Sequence, residues 1–182
     1  MKARLCSKNP HKLEELRAAL PGWELELLDA DGYPEEQGST YYENARSKAL
    51  FGREQAEPGV WTIGEDSGIE AAVLGARPGI HSARWADDGV ARLLEEVDGA
   101  DDRRARYVCE LVCLTPGGEL RGTGILEGTL ATTASGAEGF GYDPIFVPVG
   151  ETQTVAELGN DWKRRNSHRA RAARALLAAA PS

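Results

Sequence analysis

Cysteine and histidine are scarce in this 182-residue sequence, with three of each. Three cysteines cannot form a fully paired disulfide framework. Cys109 and Cys113 fall on one face of a predicted strand, about 13 Å apart at ~3.3 Å per residue, which is too far to bridge. No histidine pairs with a cysteine at a zinc-ligand spacing. We therefore expect neither a disulfide-stabilised secreted fold nor a structural zinc site.

Long apolar runs are missing as well. The N-terminal residues Met-Lys-Ala-Arg-Leu-Cys lack the apolar stretch of a signal peptide. No segment approaches the ~20 apolar residues that a membrane span requires. These absences predict a soluble cytoplasmic protein with no membrane partner.

A basic excess is also absent, because 21 Lys and Arg face 29 Asp and Glu, for a formal net charge of -8. This balance argues against a protein that coats nucleic acid, since phosphate binding normally requires surplus positive charge. The charge is unevenly distributed: residues 1–161 carry -14 and residues 162–182 carry +6. The basic end contains six cations and no acid: Lys163, Arg164, Arg165, Arg169, Arg171 and Arg174.

What remains is a globular composition, with 41% apolar and 27% charged residues. Strand-like and helix-like segments alternate over the first 60 residues, and residues 104–114 and 119–134 resemble the arms of a long hairpin. A helix is predicted from Asn9-Pro10, another over Thr40 to Ala56, and a third from Ser167. This mixture predicts an α/β fold with a mixed sheet. With no linker or repeat visible, residues 1–182 are predicted to form a single domain.

A short buried strand is predicted at residues 60–63, ending at Gly64. Two adjacent carboxylates follow it. Glu65 and Asp66 there suit a hard cation such as Mg²⁺, which takes oxygen ligands, and ligands gather at strand ends in α/β sheets. A polar turn is the alternative. Glu43 is a third candidate carboxylate, although Thr40-x-x-Glu43 also fits a helix capping box.

The segment from Ser7 to Lys12 lies between a predicted strand and a predicted helix. A helix N-terminus offers free amides and the positive end of a dipole, which suits a phosphate, and Lys12 would add a positive charge. Alternatively, Asn9 caps the helix and Lys12 is solvated.

Two further segments could contact a ligand. Residues 136–144 are dense in glycine and aromatics, so Phe140 or Tyr142 could stack on a base or lie in the core. His168 and Arg169, after the good N-cap residue Ser167, are donors that could read carbonyl oxygens or form a solvated cationic face.

Together, these segments resemble the inosine triphosphate pyrophosphatase family, which acts on noncanonical purine nucleoside triphosphates. The resemblance runs nearly end to end. Its most specific stretches are Glu-Asp-Ser-Gly, Ala-Arg-Pro-Gly-Ile-His-Ser-Ala-Arg-Trp, Gly-Phe-Gly-Tyr-Asp-Pro-Ile-Phe and Ser-His-Arg-Ala. It implies a homodimer in which a long, mixed, twisted β-sheet with flanking helices divides two lobes around a central nucleotide cleft. It also implies Mg²⁺-dependent hydrolysis of ITP, dITP or XTP to monophosphate and pyrophosphate, which clears these nucleotides from the precursor pool.

The resemblance also implies roles for individual residues. Asp66 matches the catalytic, metal-linked carboxylate, Glu43 matches the metal-binding glutamate, and Glu65 is an additional candidate ligand. The positions that match substrate contacts are Ser7, Lys8, Asn9, Pro10, His11, Lys12, Ser67, Phe140, Gly141, Tyr142, Asp143, Lys163, His168 and Arg169. Lys8 and Glu65 depart from the family's usual glycine and aspartate, and Asn166 replaces a usual apolar residue.

The choice of base would follow from donors on His168 or Arg169, which pair with the carbonyl of hypoxanthine or xanthine. Adenine has an amino group at that position, so the donor would be left unpaired, which is penalised in a buried site. Two alternatives stay open. One is a related pyrophosphatase with a pyrimidine or modified-base preference, as in the Maf-like relatives. The other is a nucleotide-binding protein without catalysis, although such a protein would be expected to lose the acids at positions 43 and 66.

Overall fold

A computed structural model describes residues 1–180 of the chain. The strands are β1 (Lys2–Leu5), β2 (Glu24–Leu27), β3 (Trp61–Ala71), β4 (Arg77–Pro78), β5 (Arg104–Thr115), β6 (Gly118–Leu130) and β7 (Phe146–Pro148). The α-helices are α1 (Pro10–Ala19), α2 (Tyr41–Gln55), α3 (Gly89–Glu96), α4 (Val155–Asn166) and α5 (His168–Ala179). Short 3-10 helices cover Ala72–Leu74, Gly79–His81 and Asp143–Ile145.

The strands form one mixed sheet in the order β2-β1-β3-β5-β6-β7, with β4 paired to β3. Strand β1 is parallel to both β2 and β3. Strand β4 is antiparallel to β3, and β7 is antiparallel to β6. The predicted α/β class with a mixed sheet is confirmed. The predicted hairpin is β5 and β6, whose turn is closed by Thr115, since its hydroxyl accepts from Gly117 N and donates to Gly118 O.

The chain divides into two compact units, and β3, β5 and β6 contribute residues to both. Unit 1 comprises Met1–Asp66, Cys109–Gly124 and the chain from Arg169 onwards. Its main core joins the apolar faces of α1, α5 and the strands β1, β2, β3 and β5. Burying aliphatic side chains from so many elements holds α1 and α5 against this part of the sheet.

Unit 2 comprises Ser67–Val108 and Ile125–His168. Its core is more aromatic, with Tyr107, Tyr142 and Phe146 buried among aliphatic side chains from β3, α3 and β6. Helix α4, in this unit, starts at a capping box in which Thr154 accepts from Glu157 N while the Glu157 carboxylate accepts from Thr154 N. A kink at Gly159, whose φ is 84°, interrupts the helix.

The prediction that the third strand ends at Gly64 is wrong, because β3 continues to Ala71. A glycine usually weakens a strand, but here the absence of a side chain allows helix α2 to pack closely against β3. A Cβ at Gly64 would overlap the carbonyl oxygen of Ala45 in α2. Glu65 and Asp66 therefore lie within a buried strand and not in the turn that the sequence suggested.

Among residues 1–180, no helix is long and apolar enough to cross a membrane. The three cysteines are free thiols, and all are buried.

Candidate functional site

Glu65 lies at the centre of a buried charged cluster in unit 1. Its side chain is 0% exposed. One carboxylate oxygen is 2.5 Å from Lys12 Nζ, and the other accepts from Arg169 Nε at 3.0 Å. Burial alone would raise the pKa of Glu65, but the positive charges of Lys12, Arg169 and Lys48 hold it well below its usual range. Glu65 is therefore ionised and surrounded by cations.

Arg169 is held from a second side by Glu15 of α1. Its Nη1 lies 3.4 Å from Glu15 Oε1, and both side chains are almost completely buried, at 4% and 8% exposure. Two carboxylates around one guanidinium compensate the cost of burying it, and they fix the direction of its planar donors.

Asp66, the neighbour of Glu65 on β3, has different surroundings. Its Oδ2 accepts from Asn44 Nδ2 at 3.0 Å, and its Oδ1 lies 3.5 Å from Lys48 Nζ. Burial raises the pKa of Asp66 to about 6, because Lys48 and the hydrogen bond from Asn44 offset the desolvation only in part. A carboxyl with such a pKa can take up or release a proton near neutral pH.

Helix α2 positions both partners of Asp66. Asn44 and Lys48 are four residues apart and so lie on the same face of α2. The Asn44 side chain is oriented by its oxygen, which accepts from Gly38 N at 2.8 Å, so that its amide nitrogen points to Asp66. Lys48 Nζ also forms an ion pair with Glu36 and donates to the carbonyl of Glu65. A single ammonium thus links the carboxylates of Glu36 and Asp66.

Glu43 caps helix α2. Its Oε2 accepts from Ser39 N, Ser39 Oγ and Thr40 N, and its backbone N–H donates to Thr40 Oγ1. The capping-box interpretation of Thr40-x-x-Glu43 is confirmed. Among the described residues, Glu43 makes no hydrogen bond or ion pair with Asp66.

The segment from Ser7 to Lys12 joins β1 to α1. Asn9 is the N-cap of α1 and accepts from His11 N, as predicted for the capping alternative, while Ser7 Oγ accepts from Asn9 N. Pro10 occupies the first helical turn. Lys8 Nζ lies 5.5 Å from the centre of the Tyr33 ring. Lys12 is not fully solvated, because it pairs with Glu65.

A second group of candidate residues, which we call the aromatic cluster, lies in unit 2. It consists of Tyr107, Phe140, Asp143, Lys163 and His168. Asp143 Oδ2 accepts from Lys163 Nζ at 2.6 Å and from Phe140 N at 2.8 Å. Lys163 Nζ also lies 3.7 Å from the centre of the Phe140 ring, a cation–π contact. The ion pair is almost fully buried, at 3% and 2% exposure, so it fixes the position of the half-buried Phe140.

His168, at the start of α5, stacks on Tyr107. The two ring centres are 4.5 Å apart and the ring planes differ by 6°. The Tyr107 hydroxyl donates to Asp143 Oδ1 at 3.2 Å. The imidazole and the Asp143–Lys163 pair are therefore joined through one tyrosine.

The remaining predicted residues of unit 2 are less closely grouped. Tyr142 is buried in the core, and its hydroxyl donates to Ser82 O at 2.9 Å, which fits the core alternative. Gly141 is exposed with a φ of 62°. Ser67 follows Asp66 on β3 and is half-buried.

No group of three or more His, Cys, Asp or Glu side chains within residues 1–180 is arranged to hold a metal ion. Both oxygens of Glu65 are already engaged by cations, so its geometry suits a partner for Lys12 and Arg169 better than a metal ligand. The two carboxylates that share Lys48, those of Asp66 and Glu36, remain as oxygen donors close to a single point.

Sequence reasoning missed Glu15, Glu36, Asn44, Lys48 and Tyr107. Helical spacing could have revealed two of them, since Asn44 and Lys48 share a face of α2 and a polar pair on a buried face needs a partner. Nothing local distinguishes Glu15, Glu36 or Tyr107, because their partners are distant in sequence.

Comparison with known proteins identifies the family of this chain. The profile of the Ham1 family matches residues 3–179. The chain belongs to the Ham1 family. A Gloeobacter violaceus protein named dITP/XTP pyrophosphatase is 41% identical to this Ham1-family chain over 179 residues, covering 95% of the chain and 91% of the relative.

Solved structures agree with the family assignment. The Staphylococcus aureus Ham1 protein superposes on this Ham1-family chain with a TM-score of 0.85 at 32% identity, covering 98% of this chain and 97% of that one. A Mycobacterium abscessus nucleoside-triphosphatase, also described as a dITP/XTP pyrophosphatase, gives a TM-score of 0.73 at 38% identity, covering 100% and 98%.

Proposed function

We propose that this Ham1-family protein hydrolyses noncanonical purine nucleoside triphosphates, namely ITP, dITP and XTP, to the monophosphate and pyrophosphate. Relatives about 40% identical over most of their length carry the name dITP/XTP pyrophosphatase. The observation that carries the proposal is the environment of Asp66, a buried carboxylate held by Asn44 and Lys48 beside an ionised glutamate. The protein is thus an enzyme that cleaves a phosphoanhydride bond and removes these nucleotides from the precursor pool.

The proposed reaction adds one water across the bond between the α- and β-phosphates. Asp66 accepts a proton as the water oxygen bonds to phosphorus, the anhydride P–O bond breaks, and pyrophosphate leaves as monophosphate forms. Since phosphoryl chemistry depends on positioning and charge neutralisation, Lys12 and the amides at the start of α1 would bind the phosphates. Glu65 supports this role because it holds the Lys12 ammonium in place.

The aromatic cluster suits a purine base. The half-buried Phe140 ring offers a face on which a base can stack. His168 would donate to the carbonyl oxygen at position 6 of hypoxanthine or xanthine, whereas adenine presents an amino group and leaves that donor unpaired. Arg169 is the other proposed donor, and its Nε and Nη1 are directed to Glu65 and Glu15.

We propose Mg²⁺ as the cofactor, held by Asp66 and Glu36. Both carboxylates pair with Lys48 Nζ, which brings them close together. They would hold Mg²⁺ once this single ammonium moves away, since carboxylate oxygens are donors that Mg²⁺ prefers. Bound there, Mg²⁺ would neutralise phosphate charge during hydrolysis. Glu43, the ligand that the family resemblance implies, remains a candidate, although its capping bonds already occupy one of its carboxylate oxygens.

Release of pyrophosphate from ITP, dITP, XTP, ATP and a pyrimidine triphosphate, each with and without Mg²⁺, tests the proposal. We expect rapid turnover of the first three nucleotides with Mg²⁺ only. The Asp66→Asn variant should lose about 10²- to 10⁴-fold in kcat, as expected when a general base is removed, and should still bind ITP. Equal hydrolysis of ITP and ATP, preference for the pyrimidine nucleotide, or full activity of Asp66→Asn would contradict it.

A pair of variants tests the cofactor site. Glu36→Gln should raise the Mg²⁺ concentration needed for half-maximal ITP turnover, because a charged oxygen donor is lost. Glu43→Gln keeps an acceptor for the capping box and should change this concentration far less. A larger effect of Glu43→Gln than of Glu36→Gln would instead assign the metal to Glu43.

We further propose a cytoplasmic homodimer that binds neither nucleic acid nor membranes. The free thiols support a reducing compartment, and the net charge of -8 argues against binding to nucleic acid. The homodimer is proposed from the family resemblance. Sedimentation equilibrium of the purified protein measures the oligomeric state, and a monomer at micromolar concentration would contradict the dimer.

A further inference from the structure

Tyr107 of β5 is the one member of the aromatic cluster to which neither the sequence motifs nor the family resemblance assigns a role. Its side chain is buried, at 7% exposure, between two rings. His168 stacks on it in parallel, with 4.5 Å between ring centres, and Phe146 packs at 4.6 Å with a tilt of 52°. A planar ring held between two others has little freedom to rotate, so it can serve as a fixed support.

The hydroxyl of Tyr107 extends this support to the opposite part of the cluster. It donates to Asp143 Oδ1, while Asp143 Oδ2 accepts from Lys163 and from the backbone of Phe140. Each oxygen of this buried carboxylate therefore has a donor, and removing the tyrosine hydroxyl leaves Oδ1 without this one. Asp143 in turn holds the Lys163 ammonium against the Phe140 ring.

We propose that Tyr107 is a positioning residue for base selection. Its ring fixes the plane of the His168 imidazole, and its hydroxyl fixes Asp143, which keeps Lys163 and Phe140 in place. This inference rests on the proposed function, and it adds the residue that orients the base-reading donor.

The physical reason is the angular dependence of a hydrogen bond. A donor discriminates a carbonyl from an amino group only if it stays aligned with the base edge, since the bond weakens steeply as its angle falls. A mobile imidazole could turn away from the amino group of adenine, and the penalty that rejects adenine would be lost. Stacking on a fixed ring prevents that rotation.

The test compares Tyr107→Phe with Tyr107→Leu, using ITP and ATP as substrates. Tyr107→Leu removes the stacking partner, and we expect the ratio of kcat/KM for ITP over ATP to fall about tenfold or more, mainly through a higher KM for ITP. Tyr107→Phe keeps the ring and loses the hydroxyl, so it should retain most of the selectivity, with KM for ITP raised about 2- to 10-fold, the range for one hydrogen bond. Leu93→Ala, in the same core but on α3, is the control for lost stability.

A spectroscopic measurement completes the test without activity. The parallel Tyr107 ring should shift the NMR signals of the His168 imidazole protons upfield, and the chain has only three histidines to assign. The shift should persist in Tyr107→Phe and disappear in Tyr107→Leu.

Three results would overturn the proposal. One is unchanged selectivity in Tyr107→Leu, another is an equal selectivity loss in Leu93→Ala, and the third is a His168 signal that Tyr107→Leu does not move. Failure of the proposed function is distinguishable, because a wild-type protein that does not hydrolyse ITP disproves the activity while the NMR measurement still decides whether Tyr107 fixes His168.

Discussion

Glu65 and Asp66 are consecutive residues with opposite electrostatic environments. Successive side chains of a strand point to opposite faces of the sheet, so neighbours in sequence meet different neighbours in space. Glu65 meets Lys12 and Arg169, which keep its pKa low, whereas burial raises the pKa of Asp66 to about 6. A pair of carboxylates whose surroundings separate their pKa values is the arrangement expected when one is structural and the other exchanges protons.

The raised pKa of Asp66 predicts a pH-dependent cost to folding. An unfolded aspartate titrates near about 3.9. Because the folded pKa is the higher one, the folded state binds this proton more tightly, and its contribution to stability falls as pH rises from about 4 through 6. Asp66→Asn should therefore raise the free energy of unfolding at pH 8 by an amount on the order of 1–3 kcal/mol, and the gain should shrink towards pH 4.

Urea denaturation in EDTA at both pH values measures this effect. Asp102→Asn is the control, because the hydrogen bonds from Arg104 lower the pKa of Asp102 to about 2, and its replacement should bring no gain at pH 8. A stability change in Asp66→Asn that is the same at pH 4 and pH 8 would contradict the prediction.

Among the elements, the packing of α2 on β3 has the greatest consequence for the charged cluster. Helix α2 supplies Asn44 and Lys48, and β3 supplies Asp66. The close approach depends on Gly64, since an added Cβ would overlap Ala45 O and lie 2.7 Å from Ala49 N. Gly64, which the sequence suggested as the end of β3, is thus the residue at which α2 packs closely against the strand.

Gly64→Ala should separate α2 from β3 and destabilise the protein by about 1–3 kcal/mol or more, as overpacking does. The matched control is Gly117→Ala, where the nearest atom to an added Cβ is Thr115 Oγ1 at 3.7 Å. Urea unfolding of both variants gives the comparison. Equal free energies of unfolding for the two variants would show that the helix adjusts without cost.

Helix α4 shows how far local patterns could go. This helix is not among the elements predicted from the sequence, although Thr154-x-x-Glu157 is a capping box of the same kind as Thr40-x-x-Glu43. Gly159 and Asn160 have weak helical propensity, which weakens the helical pattern of this segment. The helix is kinked at Gly159. The box was a usable signal for the start of the helix that carries Lys163.

For the whole molecule, the uneven charge is partly internal. Of the six cations in the basic end, Lys163 and Arg169 are buried and paired with Asp143 and Glu65, and Arg164 pairs with Asp161 at the surface. The excess of +6 therefore overstates the positive charge that this segment presents to solvent. The prediction that residues 1–182 form one pyrophosphatase domain stays a prediction, and its last two positions lie outside the described residues.

Burial of all three thiols predicts that the native protein is unreactive towards thiol reagents. Burial raises the pKa of Cys6 and of Cys113 to about 12, and that of Cys109 well above its usual range, so thiolate is scarce at neutral pH. We expect no rapid reaction with Ellman's reagent in buffer and reaction of all three in denaturant. A Ser47→Cys variant, with a thiol at an exposed position, is the positive control, and a wild-type thiol that reacts as fast would contradict the prediction.

The sequence by itself determined the α/β class, the caps of α1 and α2, the β5–β6 hairpin and the family resemblance. These follow from patterns within a few residues, where backbone geometry and capping chemistry act. Only the tertiary structure decided which charge or ring each candidate side chain meets. Arg169 reaches Glu65 across 104 positions, and the Tyr107 hydroxyl reaches Asp143 across 36. Such contacts depend on how the sheet and helices pack, and no local pattern encodes them.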